Sequence, residues 1–197
     1  TNYGSAPNSL LEAMKAAVTD KTKIIWVCNP NNPTGTMVTT EEMERFLQGI
    51  TDRVMVVLDE AYMEYVTDEG IAQGLDLLKR YPNVVVLRTF SKIYGLASLR
   101  IGYAIGRPDV IRSINQVREP FNTTSFAQKA ALAALADQEF VEQCRRLNRM
   151  GIEYLQGEFR RLGLGCYPAH GNFILVDVKR DAKTVYEELL KRGIIVR

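Results

Sequence analysis

The sequence predicts an α/β fold: a mostly parallel sheet with helices on both faces, followed by the start of a smaller α/β unit. Three observations carry this reading. Four short apolar runs, Ile24–Cys28, Val54–Leu58, Val84–Leu87 and Ile101–Ile105, have the length and composition of buried strands. Segments with apolar residues at helical spacing alternate with them, as βαβ units require. Three of the runs lead into polar residues of complementary chemistry, as happens where parallel strands present their carboxyl ends to a ligand.

In order along the chain, Leu10–Val18 has helical spacing, with Asn8 or Ser9 as its cap. The run Ile24–Cys28 is a strand, and Trp26 within it reads as core. It enters Asn29–Gly35, NPNNPTG, whose prolines, asparagines and glycine suit only an ordered turn. Thr39 and Glu42 form a capping box that starts a helix ending near Gly49. Val54–Leu58 is the second strand, with Asp59 and Glu60 at its end. Leu75–Arg80 is a short helix, and Pro82-Asn83 turns the chain into the third strand. Ile101–Ile105 is a fourth strand, closed by Gly106. Pro108 occupies a favoured first helical position, and Val110, Ile111, Ile114 and Val117 share the face of that helix.

The character then changes. Ser125–Ala136 is an alanine-rich helix, and Gln138–Leu162 is a longer one striped with Val141, Cys144, Leu147, Tyr154, Leu155, Phe159 and Leu162. Its length suggests a linker between domains. A strand over Phe173–Val178 and a helix over Asp181–Arg192 begin the second unit. The expected division is residues 1–137 for most of a large domain and 138–197 for the linker helix and part of a small one. Thr1 opens without a methionine, and Ile194–Val196 reads as a strand just starting before Arg197, so the chain is expected to be part of a longer protein.

Composition narrows the function classes. With 46% hydrophobic and 24% charged residues, this is an ordinary globular chain. A net charge of +2 selects no partner, and the arginines of 145–161 are interleaved with glutamates, as on a solvated helix face rather than a nucleic-acid stripe. Cys28, Cys144 and Cys166 are too scattered for a metal or CxxC site, which favours free thiols and a cytoplasmic setting. His170 is the only histidine and reads as a loop residue. No apolar run approaches the roughly 20 residues of a membrane span, and no signal peptide opens the chain.

The chemistry concentrates at three strand ends: Asn32 after the first, Asp59 and Tyr62 after the second, and Thr89, Ser91 and Lys92 after the third, with Arg100 shortly beyond. Neighbouring parallel strands would bring these side chains to one edge of the sheet. Arg100 offers a fork to a phosphate, aided by the hydroxyls of Ser91 and Thr89. Lys92 suits a carbonyl, with which a lysine forms a Schiff base, and its amine can then serve as a general base. A molecule carrying both groups is pyridoxal phosphate. Its ring withdraws electrons only when the ring nitrogen is protonated, and Asp59 can hold that proton. At about 3 Å and an effective dielectric of about 20, the pair is worth on the order of 5 kcal/mol before desolvation. Tyr62 and Asn32 can donate to the ring oxygen. The main rival from another class reads Asp59-Glu60 as the magnesium-binding end of a P-loop ATPase strand, but no GxxxxGK[ST] segment occurs. A non-catalytic cofactor-binding module is the other alternative.

The motifs NPNNPTG, VVLDEAY and TFSKIYGLASLRIGY, in this order, resemble the fold-type I, aspartate-aminotransferase-like family, and the resemblance covers nearly the whole chain. Within it, CNPNNPTG, DEAYMEY and VREPFNTTSFAQKAALAAL are similar to the histidinol-phosphate aminotransferase branch. The resemblance implies that Lys92 bonds the pyridoxal 5'-phosphate aldehyde and Asp59 pairs with the pyridine nitrogen. Asn32 and Tyr62 would bind the ring oxygen, and Ser91 and Arg100 the phosphate, with Thr89 assisting. Asn172 in GNFILV and Arg197 in GIIVR would lie on the substrate side. The implied reaction is reversible amino transfer between histidinol phosphate, whose oxo form is imidazole acetol phosphate, and glutamate, whose oxo form is 2-oxoglutarate, in a cytoplasmic homodimer. Aromatic-amino-acid aminotransferases and threonine-phosphate decarboxylase share the cofactor residues. Ser98 departs from the usual glycine of LAGLR. The family's N-terminal phosphate loop and ring-stacking aromatic would precede Thr1, and its carboxylate-binding arginine would follow Arg197. Residues 1–197 alone are therefore expected to be inactive.

Overall fold

The computed structural model describes residues 7–197. Four strands form one sheet in the order β1 (Ile24–Cys28), β2 (Met55–Asp59), β3 (Val84–Thr89) and β4 (Gly102–Ile105). The first three are parallel. β4 returns antiparallel to β3, because the segment joining them has only a short 3-10 turn at Ala97–Leu99 and no crossover helix. The sheet is thus mostly parallel, as predicted.

One face of the sheet carries the main core. Alternation along the strands turns Ile25 and Val27 of β1, Val56 and Leu58 of β2, and Val84 and Val86 of β3 to the same side. Helices α1 (Pro7–Ala16), α2 (Thr40–Gln48) and α3 (Gly74–Leu77) meet them there with Leu11, Met43, Phe46, Leu47 and Leu77. The helix α1 begins ahead of Asn8 and Ser9, so neither is its cap, and the capping position lies outside the described residues.

On the opposite face the prediction for Trp26 fails: the residue is 55% exposed, and Ile24 and Cys28 are exposed as well. Every residue of β1 is apolar or nearly so, which reads as buried on both sides. Among the described residues the strand is at the sheet edge, and only its inner face is covered.

A second cluster forms beyond the sheet. Phe90, Ile93, Tyr94 and Ile101, from the β3–β4 connection, pack with Ala127 and Ala131 of α5 (Ser125–Ala136) and Val141 of α6 (Gln138–Arg161). Alanines let α5 approach closely. The apolar stripes predicted for α4 (Pro108–Val117) and for the rest of α6 stay largely uncovered: Val117, Leu147, Tyr154 and Leu162 are exposed.

The predicted strand at Phe173–Val178 shrinks to β6 (Val176–Asp177), paired antiparallel with β5 (Gly165–Cys166), and α7 (Ala182–Lys191) follows. Ile194–Val196 forms no strand, since no neighbouring strand is there to pair with it among the described residues.

The capping box on α2 is formed as predicted. Thr39 Oγ1 accepts from the Glu42 N–H at 3.3 Å, and Glu42 Oε2 accepts from the Thr39 N–H at 2.8 Å. Because α2 supplies three buried side chains to the main core, losing its cap should be felt globally. Thr39→Ala is expected to cost about 1 kcal/mol of unfolding free energy, read from the denaturation midpoint at unchanged slope.

Candidate active site

The turn after β1 is held by Asn29, a buried side chain that clamps the loop from within. Its Oδ1 accepts from the Val38 N–H at 2.7 Å, and its Nδ2 donates to the Val38 carbonyl at 3.2 Å. Further along, the Gly35 N–H donates to the Asn31 carbonyl at 2.8 Å. Gly35 adopts φ +74, and a Cβ there would sit 2.6 Å from the Pro168 carbonyl oxygen, so the position suits glycine on both counts. The turn presents Asn32 toward the end of β2.

There, Asn32 meets Tyr62: Asn32 Nδ2 donates to Tyr62 Oη at 2.9 Å. Tyr62 is buried. Its oxygen accepts from Asn32, so its own O–H remains to donate. Lys92 Nζ lies 5.0 Å from the Tyr62 ring centroid, within range of a cation–π contact. Residues from three different strand ends therefore share one small space. Asp59 sits in register with Cys28 and Leu87, and its Oδ1 accepts from the Ala61 N–H at 3.2 Å. Partial desolvation and the Asp59 charge push the Cys28 thiol up.

The residues expected to take a phosphate form a second group on the loop after β3. Thr89 Oγ1 accepts from the Ser91 N–H at 3.0 Å, so Thr89 shapes the turn that presents Lys92. Arg100 Nη1 donates to Ser91 Oγ at 3.3 Å and to the Ala97 carbonyl at 2.7 Å. Arg100 adopts φ 50 and ψ 50, a left-handed conformation that costs a non-glycine residue roughly 1–2 kcal/mol. Such outliers gather at functional sites, and this one aims a guanidinium at the serine.

The two residues expected on the substrate side are placed differently. Asn172 is exposed. Arg197 lies on the exposed final stretch, and among the described residues it has no hydrogen bond to the other candidates.

Sequence reasoning missed Phe173, whose ring meets Tyr62 edge-on at 5.1 Å and 78°. The motif around it, GNFILV, marked a strand, yet Phe173 precedes the strand and points to the site. The His170 N–H donates to the Gly35 carbonyl at 3.0 Å, so segment 168–173 is seated on both the first turn and Tyr62. His170 is half-buried, and that burial lowers its pKa against the opposing pull of Asp68.

It also missed a buried ion network on the other side of the sheet edge. Glu60 pairs with Arg88 at 2.6 Å, and Arg88 pairs with Glu64 at 3.2 Å. Burial pushes both carboxyls up in spite of Arg88. A carboxyl with a raised folded pKa holds its proton better folded than unfolded. Its stabilising contribution is complete below the unfolded value and is lost as pH rises through the raised folded value. Glu64→Gln should therefore flatten the decline of stability as pH rises above the ordinary glutamate range. Urea midpoints at successive pH values measure this, and a slope equal to that of the parent would remove Glu64 as its source.

No group of metal-binding side chains occurs among the described residues, and no helix there is long and apolar enough to cross a membrane.

Fold and site together describe an α/β protein in which a lysine, a carboxylate and an arginine–serine pair stand at the carboxyl ends of a mostly parallel sheet, a candidate ligand site. The chain belongs to the aminotransferase class I and II family, whose profile matches residues 7–197. It is 56% identical over 187 residues to a histidinol-phosphate aminotransferase of Brevibacillus brevis, covering 95% of this chain and 51% of that protein. A second relative, histidinol-phosphate aminotransferase 2 of Pseudomonas aeruginosa, is 52% identical over 187 residues, again 95% of this chain and 51% of the relative. Among solved structures, the histidinol-phosphate aminotransferase of Sinorhizobium meliloti in complex with pyridoxal-5'-phosphate aligns with a TM-score of 0.88 at 32% identity. That alignment covers 95% of this chain and 52% of the other. The chain thus spans about half the length of the curated relatives it matches.

Proposed function

We propose that this chain is the central part of a pyridoxal 5'-phosphate-dependent aminotransferase that moves an amino group reversibly from histidinol phosphate to 2-oxoglutarate, giving imidazole acetol phosphate and glutamate. The observation that carries the reading is the meeting of Asn32, Tyr62 and Lys92 at the ends of three strands. The 50% or higher identity to histidinol-phosphate aminotransferases supports the choice of substrate.

The donor set suits the cofactor. It offers an amine for a carbonyl, a carboxylate for a ring nitrogen, a free phenol O–H for a ring oxygen, and a guanidinium with a hydroxyl for a phosphate. Pyridoxal phosphate supplies a carbonyl that condenses with amines and a ring that draws electrons from the neighbouring carbon. Arg100 and Ser91 would hold the phosphate, with Thr89 setting their turn. Asp59 would keep a proton on the ring nitrogen. Tyr62 would donate to the ring oxygen, oriented by Asn32 and by Phe173. Lys92 would bond the aldehyde carbon and, once freed, carry a proton to and from the substrate α-carbon. Asn172 and Arg197 are proposed for the substrate side.

The same reading assigns residues 1–137 to the large domain and 138–197 to the linker helix and part of the small domain. It includes assembly as a cytoplasmic homodimer. Supporting assembly, Val117, Phe121 and Phe126 leave apolar side chains exposed, with Phe121 at 99%.

The test is to assay the protein at full length with histidinol phosphate, 2-oxoglutarate and added pyridoxal phosphate, beside an aromatic amino acid and threonine phosphate as competing substrates. The expected result is glutamate formation fastest with histidinol phosphate. A preference for an aromatic amino acid would overturn the substrate assignment, and carbon dioxide release from threonine phosphate would overturn the reaction.

A further inference from the structure

We propose that the buried Glu60–Arg88–Glu64 network is a positioning device, which locks the exit of β2, bearing Asp59 and Tyr62, to the exit of β3, bearing Ser91 and Lys92. The assignment of those four residues rests on the function proposed above; the network itself does not.

Strand register creates the network. Asp59 pairs with Leu87 across the parallel β2–β3 ladder, so the next residues, Glu60 and Arg88, come side by side. Alternation then puts Glu60 and Arg88 on the core face, while Asp59 and Thr89 point to the opposite face. The ion pair and the ligand-facing residues are thus adjacent in the chain on both strands but separated by the sheet. What holds Glu60 to Arg88 also sets Asp59 relative to Thr89, whose hydroxyl shapes the turn leading to Lys92.

The contacts are those of a built lock. Glu60 is 1% exposed. Its Oε2 accepts from Arg88 Nε at 2.8 Å, and its Oε1 accepts from the Gly74 N–H at 2.7 Å. The Glu60 N–H continues the ladder to the Leu87 carbonyl at 3.0 Å. Arg88 Nη1 reaches Glu64 Oε1 at 3.2 Å, one turn past Tyr62, so the 60–64 segment is pinned at both ends. Arg145 Nε of α6 donates to the Glu64 carbonyl at 2.9 Å. Gly74 leaves the space required, since a Cβ there would lie 2.5 Å from Glu60 Oε1.

Energetics argue against a purely stabilising role. A buried ion pair is often no better than apolar residues of the same volume, and here two carboxylates share one guanidinium. Apolar side chains could fill this space, but they would not fix direction as a planar fork does.

The experiment uses Glu60→Gln and Arg88→Lys in the full-length protein. In Glu60→Gln the amide oxygen can still accept from Gly74, and Arg88 keeps Glu64, leaving one buried acid for one buried base. The fold should persist. In the cofactor-free protein, amide hydrogen exchange is expected to speed up locally, in segments 59–65 and 89–95, in both variants. In the loaded protein, kcat should fall on the order of 10- to 100-fold through misplacement of Asp59 and Lys92, with KM little changed. Arg88→Lys keeps the charge without the fork and should behave likewise. Exchange that is unchanged, or that rises evenly over the whole chain, would overturn the proposal. So would activity lost only in proportion to folded protein. If the parent protein binds no pyridoxal phosphate, the functional reading fails, and the exchange pattern still decides the lock.

Discussion

Lys92→Ala should abolish amino transfer. The mutation removes an amine that lies 5.0 Å from the Tyr62 ring. Two duties would be lost at once: bonding the aldehyde and moving a proton at the substrate α-carbon. General-base duty alone contributes about 10²- to 10⁴-fold, so with both duties lost turnover should fall by more than about 10⁴-fold. The fold should survive, because Lys92 is partly exposed and lies outside both core clusters. Borohydride treatment of the parent protein with pyridoxal phosphate should leave the cofactor on the peptide containing Lys92. A label on Lys79 or Lys129 would refute the assignment, and so would residual turnover in Lys92→Ala near the parent rate.

Asp59→Asn should slow the chemical step by at least about 10³-fold. The amide keeps an oxygen to accept from the Ala61 N–H, so the local turn should persist. What is lost is the charge that would hold a proton on the ring nitrogen. About 4 kcal/mol of that charge-pair energy, the part left after desolvation, corresponds to that factor in rate. Cys28 provides a readout independent of turnover. The Asp59 charge is one of the two causes that push its thiol up, so removing it should make Cys28 ionise at lower pH. Alkylation rates against pH would show this. Near-normal turnover would reduce Asp59 to a strand-end charge.

The candidate site was legible at strand ends because each member belongs to a local pattern. An apolar run announces a strand, and polar residues directly after it lie at the carboxyl edge whatever the neighbours are. This is why Asn32, Asp59, Tyr62, Ser91 and Lys92 could be named from the chain alone. The capping box on α2 was legible for the same reason, since its two hydrogen bonds lie within four residues. The chemistry of the side chains pointed to the cofactor and to Arg100, and the resemblance to known aminotransferase motifs added the substrate-side residues Asn172 and Arg197.

What only the tertiary structure decided involves contacts between distant segments. The apolar composition of β1 says that the strand can be buried on both sides; only its edge position shows that Trp26 is exposed. Phe173 stands 111 residues from Tyr62, too far for any local pattern to pair them. Glu60 and Arg88 are 28 residues apart, and nothing in either local sequence joins them. Their meeting depends on the register between β2 and β3, where a one-residue slip would turn Arg88 to the opposite face. The sequence by itself determined which residues stand at the strand ends, because that depends on local runs and turns. The assembled sheet decided which of them meet, because contact between strands depends on register and on which face each side chain takes.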